Sequence, residues 1–328
     1  MGEGPARRAI ERVVYDAYDI RTWYASPYPI DDEFASSTLY VCAGCFKYLP
    51  TAPALHAHRR TCLFRHPPGK KVYQRGAHII WEVDGAQEKL YVQNLCLFGK
   101  FFIDHKTVYF DVEPFVCYVL TDATSQFDHV LGFFSKEKVS YDDYNLACIV
   151  VFPPFQRKGY GTLLMEYSYY LSRAADVAGT PERPLSALGL RGYVAYWTSA
   201  VLRTLQHAYA SDTAHARRIR AALAGADVSL RPQQPKRRKT VRGWAGEVVK
   251  DHERDAAVPD TPLATQTTIA RVAYAAGLRV DDTTLALAHA GLLASRVDEA
   301  FALSAADVDT AAQRLRIKPA ILDEAYVL

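Results

Sequence analysis

At 328 residues and 49% hydrophobic, with a formal net charge of +3, the chain can bury a substantial core and is neither disordered nor fibrous. The small basic excess suits a nucleic-acid neighbourhood and many ordinary enzymes alike, so charge alone selects no function. Of six cysteines, three stand at Cys42, Cys45 and Cys62 and the others are scattered singly in apolar segments, which excludes a secreted disulfide framework and points to a reducing compartment. Residues 1–10 carry charges where a secretory leader needs an apolar stretch, and no apolar run is long enough to span a bilayer, so a soluble intracellular protein with no membrane partner is expected.

The first chemical signal is a metal motif. Two residues separate Cys42 from Cys45, twelve separate Cys45 from His58, and three separate His58 from Cys62. The first pair suits a turn and the second pair suits one face of a helix, together closing a tetrahedron of the kind that holds structural zinc. His56 competes as a ligand, but His58 gives the usual finger interval to Cys62. Contact with DNA is a weaker second role, because Arg59-Arg60 is the only basic pair nearby.

Leu90 to Leu120 is dense in aromatic and branched residues and, with His129 to Ser135 and Asn145 to Phe152, predicts strands of one sheet, interrupted at Asp104 to Lys106 and at Glu113-Pro114. Between the last of these and a helix over Gly161 to Arg173 lies Gln156-Arg157-Lys158-Gly159-Tyr160-Gly161. Glycines let the backbone curl there, and the amides at the helix start form an anion site suited to a pyrophosphate. No Gly-Lys-Ser/Thr follows and the three-glycine dinucleotide spacing is missing, which excludes both of those nucleotide loops.

Gly179 to Pro184 cannot continue a helix because its prolines lack the amide donor, and Leu185 to Leu205 resumes a mixed apolar pattern. Ser211 to Thr261 changes character: it is Ala- and Arg-rich, then contains Pro232 to Pro235 and the basic run Lys236-Arg237-Arg238-Lys239, and reads as an insertion or linker, partly helical. Helical patterns over Thr268 to Ala276, Asp282 to Ala294 and Ala305 to Leu315 predict a small helical subdomain, helix-turn-helix-like around Gly277.

The glycine loop is similar to the acetyl-CoA loop of the GNAT-like acetyltransferase superfamily, and longer runs narrow the likeness. Asn145-Leu-Ala-Cys-Ile-Val-Val-Phe-Pro-Pro-Phe-Gln-Arg-Lys-Gly-Tyr-Gly resembles the core of the MYST histone acetyltransferases. So do the stretch from Tyr91 through Asp104-His-Lys to Glu113-Pro-Phe, Gly132-Phe-Phe-Ser-Lys-Glu-Lys, Gly179-Thr-Pro-Glu-Arg-Pro-Leu-Ser and Tyr18-Asp-Ile-Arg-Thr-Trp-Tyr. The likeness runs from about residue 18 to Trp197 and returns weakly at Ile269 to Leu315.

The resemblance implies an α/β (α+β) fold with a GNAT-like acetyltransferase core, an N-terminal zinc finger and a C-terminal helical, helix-turn-helix-like subdomain. The expected organisation is an N-terminal segment over 1–70 with the finger at 40–62, a core over 71–204, an insertion over 205–261 and a helical subdomain over 262–328. It further implies a histone lysine acetyltransferase, H4 favoured, using acetyl-CoA beside a structural Zn. Glu182 matches the family's general base, Cys148 the cysteine proposed as acetyl acceptor, and Lys100 the autoacetylated lysine. Ile149, Val150 and Val151, Gln156, Arg157, Lys158, Gly159, Tyr160, Gly161 and Thr162, and Ser186 match cofactor contacts. Family members commonly have a serine where this chain has Ala195, which puts that one contact in doubt.

The implied partners are a histone tail or nucleosome and accessory subunits, and the implied location is nuclear. With no appended reader domain, the chain resembles the short, silencing-associated fungal type. The rival reading is a non-catalytic chromatin- or DNA-binding subunit whose transferase core is vestigial, and retention of both Glu182 and the glycine loop argues against it. An acetyltransferase for small amines is a further rival, against which the finger argues.

Overall fold

The computed structural model describes residues 10–30, 37–107, 109–124, 126–232, 266–293 and 300–328. The basic run Lys236 to Lys239 and most of the expected insertion lie outside the described residues. The described chain forms two compact units, one from residues 1–168, 181–186 and 321–328, the other from 169–180 and 187–320.

The first unit begins with alternation. Arg-Val-Val-Tyr puts Val13 and Tyr15 inside and forms β1 (Arg12–Tyr15), which turns back as β2 (Tyr18–Arg21). β1 also pairs in parallel with β3 (Thr38–Val41), and β3 pairs with β4 (Tyr48–Leu49), giving the order β2-β1-β3-β4. Helix α1 (Ala52–Thr61) follows, opened by Thr51, whose Oγ accepts the Ala54 N–H at 3.3 Å.

The main sheet is antiparallel. It contains β5 (Lys70–Arg75), β6 (His78–Asp84), β7 (Phe115–Ala123), β8 (Asp128–Glu137) and, after the short β9 (Tyr144–Leu146), β10 (Cys148–Val151), in the order β10-β8-β7-β6-β5. The strands expected around His129 and Asn145 are therefore present, as is the one ending near Leu120.

The front of the predicted strand region is different. Lys89–Lys100 forms helix α2, and residues 101–107 are turns and irregular backbone. Tyr91, Leu95 and Phe98, and Val92, Cys96 and Gly99, recur at helical intervals, yet nearly every side of α2 is buried. A helix apolar all round shows no amphipathic period, so apolar density there reads equally well as strand. At Gly99, α2 lies close against the sheet: a Cβ there would stand 2.8 Å from the Phe133 ring.

Aromatic rings join the small sheet to the large one. Phe98 lies 4.9 Å from Tyr15, 5.5 Å from Phe46 and 4.8 Å from Phe152, ring centre to ring centre. Such pairs contribute about 0.5–1.5 kcal/mol each beyond their burial. The Tyr15 hydroxyl donates to the Val130 carbonyl at 3.0 Å, satisfying a polar atom deep in the core.

Helix α3 (Tyr160–Ala174) leaves the glycine loop. The second unit is built on α4 (Ala187–Ala210), a longer helix than the mixed pattern over Leu185 to Leu205 suggested, which buries Tyr193, Trp197, Val201, Leu202 and Leu205. Around it pack α5 (Ala214–Leu223), α6 (Ile269–Ala276), α7 (Val280–His289) and α8 (Ala305–Leu315). Gly277 closes α6 at a φ of 67°, and α7 begins three residues later, which is the turn the sequence placed there. The buried Thr180 hydroxyl donates to Asp282 at 2.7 Å inside this unit.

Candidate active site and metal centre

The metal centre follows from a tight turn and a helix. After β3, the Phe46 N–H donates to the Cys42 carbonyl and Phe46 itself takes a φ of 59°, so Cys42 and Cys45 face the same point. Helix α1 offers His58 and, at its C-cap, Cys62. The Sγ atoms of Cys42 and Cys62 are 3.8 Å apart, the Cys45 Sγ is 3.3 Å from the His58 Nε2, and all four donor atoms lie within 4.8 Å of one another. Zinc–sulfur bonds of about 2.3 Å directed to a tetrahedron put sulfurs about 3.8 Å apart. The donor set therefore fits structural zinc, with no position open for chemistry. His56 is excluded from it, since its Nε2 faces the Arg60 guanidinium at 3.2 Å.

The residues that the sequence points to for a transferase lie on and around β10, within the first unit. β10 is the last strand of the sheet and, among the described residues, pairs with β8 alone, through Cys148 opposite Ser135 and Val151 opposite Gly132. Val150 points into the core while Ile149 and Val151 are half-buried. The chain then rises through a single 3-10 turn at Pro153–Phe155 into the loop, where the Gln156 Nε2 donates to the Val151 carbonyl at 2.8 Å and ties loop to strand. Arg157 at a φ of 62° and Gly159 at 89° supply the two left-handed steps that crank the backbone into α3. The first-turn amides of a helix, at Tyr160, Gly161 and Thr162 here, have no intrahelical acceptor, and α3 carries no acidic residue in that turn to compete for them. The Tyr160 hydroxyl meets the His78 Nε2 at 3.2 Å.

Glu182 stands on the connection after α3, where its N–H donates to the Leu146 carbonyl at 2.9 Å. Its side chain is open to solvent. Partial burial and the charge of Glu137 push its carboxyl above the usual carboxylate range, and the ammonium of Lys106 acts the other way. Cys148 is pushed up by burial, with Lys106 again opposing. Ser186 follows on the same connection, exposed.

Lys106 is the residue the sequence reading passed over. It is 6% exposed. Burial works against its charge, while the sulfurs of Cys96, Cys148 and Cys117 raise the ammonium above its usual value, an effect that they exert in their thiolate forms. Lys100 sits elsewhere: its Nζ donates to the carbonyls of Ile103 at 3.2 Å and Asp104 at 2.6 Å, and lies 5.8 Å from the centre of the Tyr24 ring. Asp-His-Lys in an irregular stretch has no period to mark it, so burial of Lys106 was visible only in three dimensions.

Residues 66–237 match the MOZ/SAS family, and residues 7–62 match the MYST family zinc finger domain. The histone acetyltransferase Tip60 homolog of Caenorhabditis elegans is 45% identical over 198 residues, 60% of this chain and 43% of that protein. Human histone acetyltransferase KAT6B is 46% identical over 196 residues, 60% of this chain and 9% of the relative. Human histone acetyltransferase KAT6A is 45% identical over 204 residues, 62% of this chain and 10% of the relative. The chain thus spans less than half the length of these relatives. Among the described residues, no helix is long and apolar enough to cross a membrane.

Proposed function

The chain belongs to the MOZ/SAS family, and from that premise we propose that it is a histone lysine acetyltransferase, transferring acetyl from acetyl-CoA to a lysine of a histone tail, with H4 favoured. The observation that carries the reading is that Glu182, with its raised carboxyl, is fastened to Leu146 at the end of β9, two residues before Cys148 opens the strand that leads into the glycine loop.

The chemistry sets the requirement. A lysine amine with a pKa near 10.4 is free base in fewer than about one molecule in a thousand at neutral pH, so a transferase must remove a proton. Glu182 is the base in this proposal. Its upward shift brings its proton affinity nearer to neutrality, and its exposure leaves it open to an incoming side chain. The ε-ammonium gives its proton to Glu182, the free amine attacks the thioester carbonyl, and as the tetrahedral adduct collapses the C–S bond breaks and the nitrogen's second proton passes to the departing coenzyme A thiolate, leaving the neutral amide and the free thiol. The amides of 160–162 and the loop Gln156 to Gly159 hold the pyrophosphate, and Ile149 to Val151 with Ser186 contact the rest of the cofactor. The zinc finger keeps Phe46 seated against Phe98 and Tyr91, and takes no part in the transfer.

Cys148 is the weaker nucleophile in this reading, because burial favours its neutral thiol and a thiolate is what a covalent route needs. For self-acetylation, Lys100 comes from the family likeness alone, and the buried Lys106, whose charge acts on both Cys148 and Glu182, is a second candidate. Nuclear location, accessory subunits and a weak DNA contact through Arg59 and Arg60 belong to the same proposal. Incubating the protein and its Glu182→Gln variant with acetyl-CoA and core histones, and reading acetyl groups by mass spectrometry, tests it. Glutamate-dependent incorporation supports the enzyme; no incorporation on histones or on the protein itself returns the chain to a purely binding role.

A further inference from the structure

Residues 321–328 pack with the first unit although they follow the helices of the second in sequence. The segment is fastened at several points. The N–H groups of Ile321 and Leu322 both donate to one carboxylate oxygen of Glu166, at 2.8 and 2.7 Å. Glu166 lies in α3 and is 4% exposed. The Arg75 guanidinium, on β5, donates to the Ile321 carbonyl at 3.3 Å and lies 5.9 Å from the centre of the Tyr326 ring. The Leu328 N–H donates to the Val72 carbonyl at 2.9 Å.

One end of this strap reaches the glycine loop. A Cβ at Gly159 would stand 2.9 Å from the Ile321 Cδ1, so the isoleucine lies directly against the residue whose left-handed turn starts α3. Ile321 is 37% exposed, so its side chain lies over the loop at the surface and is not sunk in the core. Glu166 acts on the same helix from within, because a buried carboxylate needs charge-assisted donors and takes two of them from the strap. Loop, helix and strap are therefore held as one piece.

We propose that the 321–328 segment positions the cofactor loop, with Ile321 and Glu166 as positioning residues that hold Gly159 and the first turn of α3 in the shape that receives the pyrophosphate of acetyl-CoA. The proposal rests on the acetyl-CoA reading above. It separates the strap's effect on the loop from its effect on β5 by side chain, since the Ile321 side chain touches Gly159 and the Tyr326 ring touches Arg75, while the Ile321 contact with Arg75 is through its main-chain carbonyl and survives substitution.

The test measures coenzyme A binding by calorimetry, with thermal midpoints and steady-state kinetics, on the full chain. Ile321→Ala and Glu166→Ala should each weaken coenzyme A roughly ten-fold and raise KM for acetyl-CoA, leaving kcat and the histone KM near those of the parent. Glu166→Gln, whose amide oxygen can accept both N–H groups, should retain most of the affinity. Tyr326→Ala should lower the thermal midpoint without changing coenzyme A affinity. Because Ile321 is partly exposed, its variant remains informative even where Glu166→Ala fails to fold. Parent-like affinity in folded Ile321→Ala, or an equal loss in Tyr326→Ala, overturns the positioning role while leaving the acetyl-CoA reading intact. A parent protein that binds no coenzyme A overturns both.

Discussion

The N–H of Glu182 donates to the carbonyl of Leu146 at 2.9 Å, which fastens the candidate base to the chain two residues before Cys148. Position is thus fixed by the main chain, and the side chain can be exchanged without moving it. Glu182→Gln should fold with an unchanged thermal midpoint and lose about 10²–10⁴-fold in kcat. The pH dependence carries a sign. The base works when ionised, and its carboxyl is held above the usual range, so kcat/KM should fall with decreasing pH through that raised value, earlier than for an ordinary carboxylate near about 4.3. A glutamine variant that keeps both full turnover and the acid limb of the profile would remove Glu182 from the mechanism.

Burial holds the Cys148 thiol neutral, so direct attack by the lysine is the expected route. Cys148→Ala should retain turnover within about ten-fold of the parent under saturating acetyl-CoA. Rapid quenching followed by mass spectrometry of the peptide carrying Cys148 checks the same point from the other side. A thioester at Cys148 that forms and decays at the turnover rate would reverse the order of the two routes.

The buried ammonium of Lys106 lies in the electrostatic reach of both Cys148 and Glu182, whereas the Lys100 amine is held by two main-chain carbonyls. After incubation with acetyl-CoA alone, tryptic mapping should find acetylation at Lys106, abolished in Lys106→Arg and unchanged in Lys100→Arg. The reverse pattern would restore the assignment carried by family likeness. Acetylation of Lys106 would also remove a charge that lowers Glu182, so the modified protein should show its acid limb at higher pH.

Legibility in the sequence followed locality. The Cys42, Cys45, His58 and Cys62 set could be read because its spacing maps onto one turn and one helix, and the structure brings exactly those donors together while His56 turns to Arg60. The glycine loop was legible for the same reason, being a continuous strand-turn-helix segment. Helix α2 was not, since its middle, Asn94 to Gly99, is buried on every side and blurs the period. Neither Lys106 nor the contact of Ile321 with Gly159 was legible, because each depends on residues far apart in sequence whose types carry no motif. The pairing of β1 with β3 is parallel and crosses an intervening segment, so nothing local announces it.

The zinc centre is predicted to act through packing. Its turn holds Phe46 at a positive φ and presents the ring to Phe98 at 5.5 Å and Tyr91 at 5.7 Å, so the donor atoms fix an aromatic that belongs to the core of the first unit. Metal analysis of purified protein should return one zinc per chain. Cys45→Ser, or incubation with a strong chelator, should release it and lower Tm by roughly 10 °C or more, as expected for a loss of several kcal/mol in a protein of this size. His56→Ala should leave zinc content and Tm unchanged, because that imidazole faces Arg60. If transferase activity fell in Cys45→Ser before the protein unfolded, the finger would have a direct part in substrate binding; if activity and fold were lost together, its role is to seat Phe46.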